Sequence, residues 1–156
     1  MSSESTPSAN LRTTPVVTRF LMRDLAGGAK ATRLLIVQRS QRVGSYHGHW
    51  SGISGFIESG VTADEQAYTE IREETGLERD QVRMLKRGEV VEYQDPKLGR
   101  HFLIHPYLFE VLEPEAIKTD WEAVSKRWID PAELSRYEEE TVTRLREAYA
   151  SASRGQ

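Results

Sequence analysis

The stretch from residue 55 to residue 77 constrains this chain more than any other. It predicts the end of a strand, a glycine-bearing loop and one helix of about four turns. Thr62, followed by Glu65 three residues later, matches a capping box, so the helix is expected to begin there. Gly76 is well placed to end the helix in a left-handed conformation. A strand, a loop and a helix are therefore predicted from one continuous segment.

Three glutamates on this helix are the candidates for chemistry. Glu70, Glu73 and Glu74 are spaced i, i+3 and i+4, which places their carboxylates on one face within a turn. Because like charges at this spacing repel, such a face is kept where it is well solvated or where a cation covers it. A solvated face is the ordinary explanation of a charge run.

The loop before the helix favours the cation. Gly55 and Gly60 bracket Glu58 in that loop. Glycine lets backbone groups approach a phosphate or a metal ion closely at the start of a helix. The loop and the acidic face together therefore predict a binding site.

Together these residues resemble the Nudix box. Its pattern is Gly, five residues, Glu, seven residues, then Arg-Glu-apolar-any-Glu-Glu-any-Gly-apolar. Two positions depart from the pattern, since Val61 stands where the first glutamate is expected and Thr69 where the arginine is expected. The matching positions are Gly55, Glu70, Ile71, Glu73, Glu74, Gly76 and Leu77.

The two departures are interpreted as a matched loss. In the family pattern the missing residues carry opposite charges, so replacing both removes a pair, whereas replacing one would leave a charge without its partner. The fold is expected to survive, but Glu70 and Glu73 lose a neighbouring cation. Arg72 and Arg39 are the candidates to replace it.

The resemblance implies an α/β fold, a Nudix-like α/β/α sandwich with a mixed sheet. Residues 1–13 are rich in Ser and Thr and nearly without apolar side chains, so they are expected to form a disordered tail. A single domain is expected over residues 14–153. Its final strand runs into Pro131-Ala132-Glu133-Leu134, a recurrent ending of Nudix domains.

Apolar runs between turn signals predict the strands, and Pro106 is expected at a bulge or in an edge strand. A last helix is expected over residues 140–152, with Val142, Leu145 and Tyr149 on one stripe. The predicted strands cover 14–23, 34–37, 50–58, 82–85, 89–93, 101–112 and 125–129.

Composition excludes several classes of function. The chain has no cysteine, which rules out a thiolate metal site and agrees with a cytoplasmic location. It also sets aside the Nudix-fold isomerase of isopentenyl diphosphate, which needs a catalytic cysteine in its known form. The net charge of −3 argues against binding of extended nucleic acid. No segment approaches the roughly 20 apolar residues that span a bilayer.

The resemblance implies a hydrolase that cleaves a diphosphate linkage in a nucleoside diphosphate derivative with the help of Mg²⁺, Mn²⁺ being the other candidate. Glu70 and Glu74 are expected as direct metal ligands, with Glu73 sharing or bridging. A backbone carbonyl near Ser54 or Gly55 would complete the coordination. The same three glutamates are the expected catalytic residues, and Glu73 is the first candidate for the general base.

Residues outside the helix are weaker candidates. Nudix enzymes also take the base from outside the box, although an acid there is most often a solvated surface group. His47 and His49 lack a third metal ligand nearby, while His101 and His105 share a strand face but lie far apart. The acids that qualify as the base by residue type are Glu89, Glu92, Asp95, Asp120 and Glu122. The expected substrate-binding residues are Arg39, Tyr46, Trp50, Gly55 and Glu58, with Tyr46 and Trp50 either stacking on a base or packing in the core.

A second function stays open. Val61 and Thr69 are what a degenerate Nudix domain would show if it bound a nucleotide or a protein without turnover. A small-molecule nucleotide substrate is the expected partner of the hydrolase. A homodimer is a further expectation, because it is common among similar proteins.

Overall fold

The computed structural model describes residues 11–24, 32–39, 48–118, 123–140 and 144–155. Within these ranges the chain forms strands and two α-helices, with 3₁₀ turns at 79–81, 114–116 and 131–140. The helices are α1 (Ala63–Thr75) and α2 (Leu145–Arg154). The strands are β1 (Arg12–Asp24), β2 (Thr32–Arg39), β3 (Trp50–Ser51), β4 (Ile53–Phe56), β5 (Val82–Arg87), β6 (Val91–Asp95), β7 (Arg100–Val111) and β8 (Ala123–Ile129).

All the described strands belong to one mixed sheet. The strand order along its main path is β3-β2-β1-β7-β5. In addition, β4 pairs with β1, β6 pairs with β7, and β8 pairs with β2. Strands β1 and β7 are parallel, whereas the other pairs are antiparallel. The predicted mixed sheet is confirmed, and β6 and β7 form a hairpin across residues 95–99.

The first strand begins earlier than the sequence suggests. Arg12 and Thr13, which the sequence places in the tail, pair with Arg100 and His101 of β7. The Arg12 amide also donates to the Gly99 carbonyl at 2.9 Å. The prediction was wrong for these two residues because backbone pairing orders polar residues that their side chains alone would not order. The rest of the tail lies outside the described residues, and the domain limits stay a prediction.

Pro106 is not in an edge strand. Its strand, β7, lies inside the sheet, with β1 on one side and both β5 and β6 on the other. On that side β6 pairs as far as Ile104 and β5 pairs from Tyr107 onward. The proline falls in the gap, where its missing N–H costs no ladder hydrogen bond. Its carbonyl accepts from the Gly88 amide at 2.9 Å. The expected edge position was therefore wrong, because two partner strands meet end to end at this point, and the register shift of the β5–β7 pairing lies nearby, between Met84 and Lys86 of β5.

The two faces of the sheet are covered by different helices. One core contains Ala67 and Ile71 of α1, packed on alternate residues of β1 and β7. The other contains Leu145, Ala148 and Ala152 of α2, packed on the intervening residues. This alternation follows from the two-residue period of a strand. The predicted α/β/α sandwich is confirmed.

Helix α1 has the predicted ends, while α2 does not. The capping box at Thr62 and Glu65 is formed, and Gly76 ends α1 with a φ of 77°. Helix α2 begins at Leu145, later than expected, because Arg144 adopts a left-handed φ of 68°. Glu140 belongs instead to the preceding 3₁₀ turn, and Val142 lies outside the described residues. No helix in the described part of the chain is long and apolar enough to span a membrane.

Candidate functional site

Helix α1 holds its glutamates beside the edge of the core. Ala67 and Ile71 anchor the helix on the sheet. The side chains of Glu70 and Glu74 lie on the adjacent stripe and are only 16% and 12% exposed, whereas Glu73 is exposed. The helical spacing thus produces the predicted acidic face, with two carboxylates at its inner edge and one in solvent.

Gly55 of β4 makes room for the Glu70 carboxylate. A Cβ atom at Gly55 would lie 2.6 Å from Oε1 and 2.8 Å from Cδ of Glu70, closer than such atoms approach. Gly55 pairs with Val17 of β1, which fixes its place in the sheet. The glycine of the loop motif is therefore used for close approach between strand and helix.

Gln66 connects the loop to the acidic face and was not predicted. Its Nε2 donates to Glu70 Oε2 at 2.9 Å, while its Oε1 accepts from the Glu58 amide at 3.0 Å. Gln66 is buried, and both contacts are partly buried. The spacing of four residues between Gln66 and Glu70 was the available signal for the first contact. Glu58 itself is exposed and takes part here through its backbone.

Arg19 of β1 is the cation of this site, and it too was not predicted. Its side chain is 0% exposed, and its Nη2 lies 3.6 Å from Glu74 Oε2 and 4.0 Å from Glu70 Oε1. Burial lowers the pKa of Arg19 below its ordinary value, while Glu74 and Glu70 act in the opposite direction. An arginine keeps its proton at neutral pH even so. The inner edge of the acidic face therefore lies against a buried positive charge.

Arg72 and Arg39 were the two arginines expected to supply this charge. Arg72 is exposed on α1. Arg39 ends β2, and its backbone bonds to Gly48 and His49. The charge beside Glu70 and Glu74 is instead that of Arg19 from β1, a strand that pairs with β4.

A second charged group holds the first turn of α1. The Tyr107 hydroxyl donates to Asp64 Oδ1, and Arg87 Nη1 donates to Oδ2 at 2.8 Å. Burial first, and then the bond to Asp64, raise the pKa of Tyr107 far above its ordinary value. Tyr107 therefore stays neutral and acts as a donor that fixes the helix to β7.

Trp50, one of the two aromatic candidates for base stacking, does not lie beside the acids. Trp50 is 6% exposed and belongs to the core on the face opposite α1, with its ring 6.5 Å from that of Tyr137. This is the core alternative left open by the sequence. Tyr46 lies outside the described residues.

Two of the candidate general bases outside the helix have side-chain contacts of their own. Asp95 is buried and caps the β6–β7 turn by accepting from the Lys97 amide at 3.1 Å. Glu92 bonds to His101 at 2.9 Å. Glu89 is exposed, and its carbonyl accepts from Ser151. Asp120 and Glu122 lie outside the described residues, as does His47.

His105 is a further titratable group near this face. It lies on β7 opposite Val17, and its odd position in β7 places it on the α1 side with Tyr107. Burial lowers the pKa of His105. The imidazole is therefore neutral at physiological pH.

The acidic face fits a hard cation by its chemistry. Carboxylate oxygens are ligands that Mg²⁺ prefers. Gly55, which has no Cβ atom, lets the Glu70 carboxylate lie close to the backbone of β4. Among the described residues, however, no three acidic, histidine or cysteine side chains converge on a point where they could hold a metal ion. Glu70 and Glu74 approach Arg19, and Glu73 extends into solvent.

A comparison with family models matches the NUDIX domain over residues 17–151. A search of curated proteins finds no match. The residues matched by the NUDIX model include β4, the loop after β4 and the whole of α1.

Solved structures with the same fold share little sequence with this chain. A C. elegans Ap4A hydrolase in a binary complex has a TM-score of 0.72 at 17% identity, covering 90% of this chain and 95% of its own. The M. smegmatis Nudix hydrolase RenU has a TM-score of 0.71 at 16% identity, covering 92% and 88%. An E. coli dihydroneopterin triphosphate pyrophosphohydrolase has a TM-score of 0.66 at 17% identity, covering 88% and 93%.

Proposed function

Since this chain belongs to the NUDIX domain family, we propose that it hydrolyses a diphosphate linkage in a nucleoside diphosphate derivative. The observation that carries the proposal is the Glu70 carboxylate, which is held between Gly55 and Gln66 at the inner edge of the acidic face. The pyrophosphohydrolase among the neighbours of similar fold supports a hydrolase acting on acid anhydrides.

A divalent ion, Mg²⁺ first and Mn²⁺ second, is part of this proposal. Glu70 and Glu74 would hold it, with Glu73 sharing or bridging. The bound ion would neutralise phosphate charge and lower the pKa of a water molecule. Members of this family generally use divalent ions, and the oxygen donors here fit that use.

The residues of the chain supply position and proton transfer. Gln66 fixes one oxygen of Glu70 and ties it to the loop at Glu58. Glu73 is exposed beside them, so it is our first candidate to take the proton of the attacking water.

Release of product from a panel of nucleoside diphosphate derivatives, measured with Mg²⁺, tests the proposal. We expect turnover of at least one compound by the wild-type protein and a loss of about 10²-fold or more in Glu74→Gln. Arg72→Gln is the matched control, since it removes a charge from an exposed position of the same helix. Equal turnover by Glu74→Gln and the control would refute the assignment of the acidic face.

The second candidate is a domain that binds a nucleotide or a protein without turnover. It is favoured by Val61 and Thr69 and by the buried guanidinium that already lies against Glu70 and Glu74. Tight binding of a nucleotide from the same panel without product would establish it. A small-molecule nucleotide is the proposed substrate of the hydrolase, whereas the homodimer and the cytoplasmic location stay predictions.

A further inference from the structure

The buried position of Arg19 is the feature that neither the family pattern nor the proposed reaction accounts for. Among the described residues, none accepts a hydrogen bond from its Nε, Nη1 or Nη2. A guanidinium without such acceptors is costly to bury, unless nearby negative charge compensates for the lost water. Glu74 and Glu70, at 3.6 and 4.0 Å, supply that charge.

The location of Arg19 matches the charge that the Nudix box has lost. Thr69, where the box has arginine, is on α1 directly before Glu70. Arg19 reaches the same pair of carboxylates from the sheet on which α1 packs. It lies on β1, paired with Ile53 of β4 and Tyr107 of β7. Because its side chain is 0% exposed, no substrate can contact it.

We propose that Arg19 is an internal counterion that replaces the box arginine and occupies Glu70 and Glu74 when no metal ion is bound. It is a positioning residue, acting on the reaction only through these two carboxylates. A divalent ion that binds the same carboxylates would do so against the repulsion of this charge. The competition between Arg19 and a divalent ion rests on the proposed function, whereas the pairing of Arg19 with Glu70 and Glu74 does not.

Whether Glu74→Gln lowers or raises Tm tests the pairing of Arg19 with Glu74 in the metal-free protein. If Arg19 neutralises Glu74, then Glu74→Gln removes one partner of a buried pair, and Tm is expected to fall by about 5 °C or more in the presence of a chelator. If the glutamates only repel one another, the same change relieves repulsion, and Tm is expected to rise slightly. Glu73→Gln is the matched control, because Glu73 is exposed one position away.

The proposal is supported if Tm falls clearly further in Glu74→Gln than in Glu73→Gln. It is overturned if the two variants have the same Tm or if Glu74→Gln is the more stable one. Neither outcome depends on a substrate, so a protein without hydrolase activity still gives a result. Conversely, a hydrolase in which the two variants unfold alike would refute the counterion and leave the function intact.

The affinity for Mn²⁺, measured by electron paramagnetic resonance, tests the competition. A unit charge about 5 Å from a divalent ion costs enough, even in water, to weaken binding on the order of tenfold. We therefore expect Arg19→Met to bind Mn²⁺ on the order of tenfold more tightly than the wild type, and Arg19→Lys, which keeps the charge, to bind it much as the wild type does. Unchanged or weaker binding by Arg19→Met would overturn the competition. If that variant does not fold, the comparison of Glu74→Gln with Glu73→Gln still decides the existence of the pair.

Discussion

Gly55→Ala is the change that separates the position of Glu70 from the stability of the fold. The new Cβ atom would lie 2.6 Å from Glu70 Oε1, whereas ordinary contact begins at 3.4 Å. The carboxylate must therefore retreat by about 0.8 Å, and a misplacement of about 1 Å at a catalytic group costs on the order of 10²-fold in rate. We expect kcat to fall by that amount on any compound that the wild type hydrolyses.

Little stability should be lost in the same variant. The atom that must move is the end of a flexible side chain, and Gly55 is not among the glycines with positive φ in the described structure. A glycine to alanine change at such a position stabilises by about 0.4–1 kcal/mol through the unfolded chain, which offsets the cost of moving Glu70. We therefore expect Tm to change by less than about 3 °C.

Gly52→Ala is the matched control. Its Cβ atom would lie 2.8 Å from the backbone carbonyl oxygen of Arg19, in the middle of the sheet. Because a paired strand cannot retreat as a side chain can, this variant should lose about 2 kcal/mol, or roughly 4–8 °C in Tm. Steady-state kinetics and thermal unfolding of both variants provide the test. Wild-type kcat in Gly55→Ala, with the protein folded, would refute the view that this contact positions Glu70.

Three further changes test the surroundings of the site. Thr62→Ala removes the cap of α1 and should cost about 1 kcal/mol, seen as a fall of roughly 2–4 °C in Tm; an unchanged Tm would show that the cap adds nothing. Tyr107→Phe deletes the donor to Asp64 and should cost about 1 kcal/mol in urea unfolding, whereas equal midpoints would mean that Arg87 alone satisfies Asp64. Burial lowers the pKa of His105 in the folded protein, so the unfolded chain binds the proton more readily and stability should fall as the pH drops below about 6.5. His105→Gln should therefore flatten the dependence of Tm on pH between about 5 and 7.5. Identical slopes in the variant and the wild type would contradict this.

Helix α1 was predictable because its signals are local. Thr62 and Glu65 fix its start, Gly76 fixes its end, and the spacing of the glutamates follows from the helical period. The layers of the sandwich were expected from the resemblance to the Nudix family, and the alternation along β1 and β7 is how the chain builds them.

Arg19 was not predictable, because nothing near it in the sequence relates it to α1. It meets Glu70 and Glu74 only because β1 pairs with β4 and the helix packs across both strands. Trp50 shows the same dependence, since the register of β3 on β2 decides which face receives the ring. Pro106 was misplaced because two strands end against one partner, an arrangement that a single strand does not reveal.

A crystal structure of the protein soaked with Mn²⁺ and a diphosphate compound tests the central claim most directly, because anomalous scattering locates the ion without assumptions about ligands. We expect a peak about 2.2 Å from carboxylate oxygens of Glu70 and Glu74, with the Arg19 guanidinium further from them than its present 3.6 and 4.0 Å. A peak elsewhere, or no peak at the acidic face with the diphosphate bound, would contradict the claim that these glutamates hold the ion for hydrolysis.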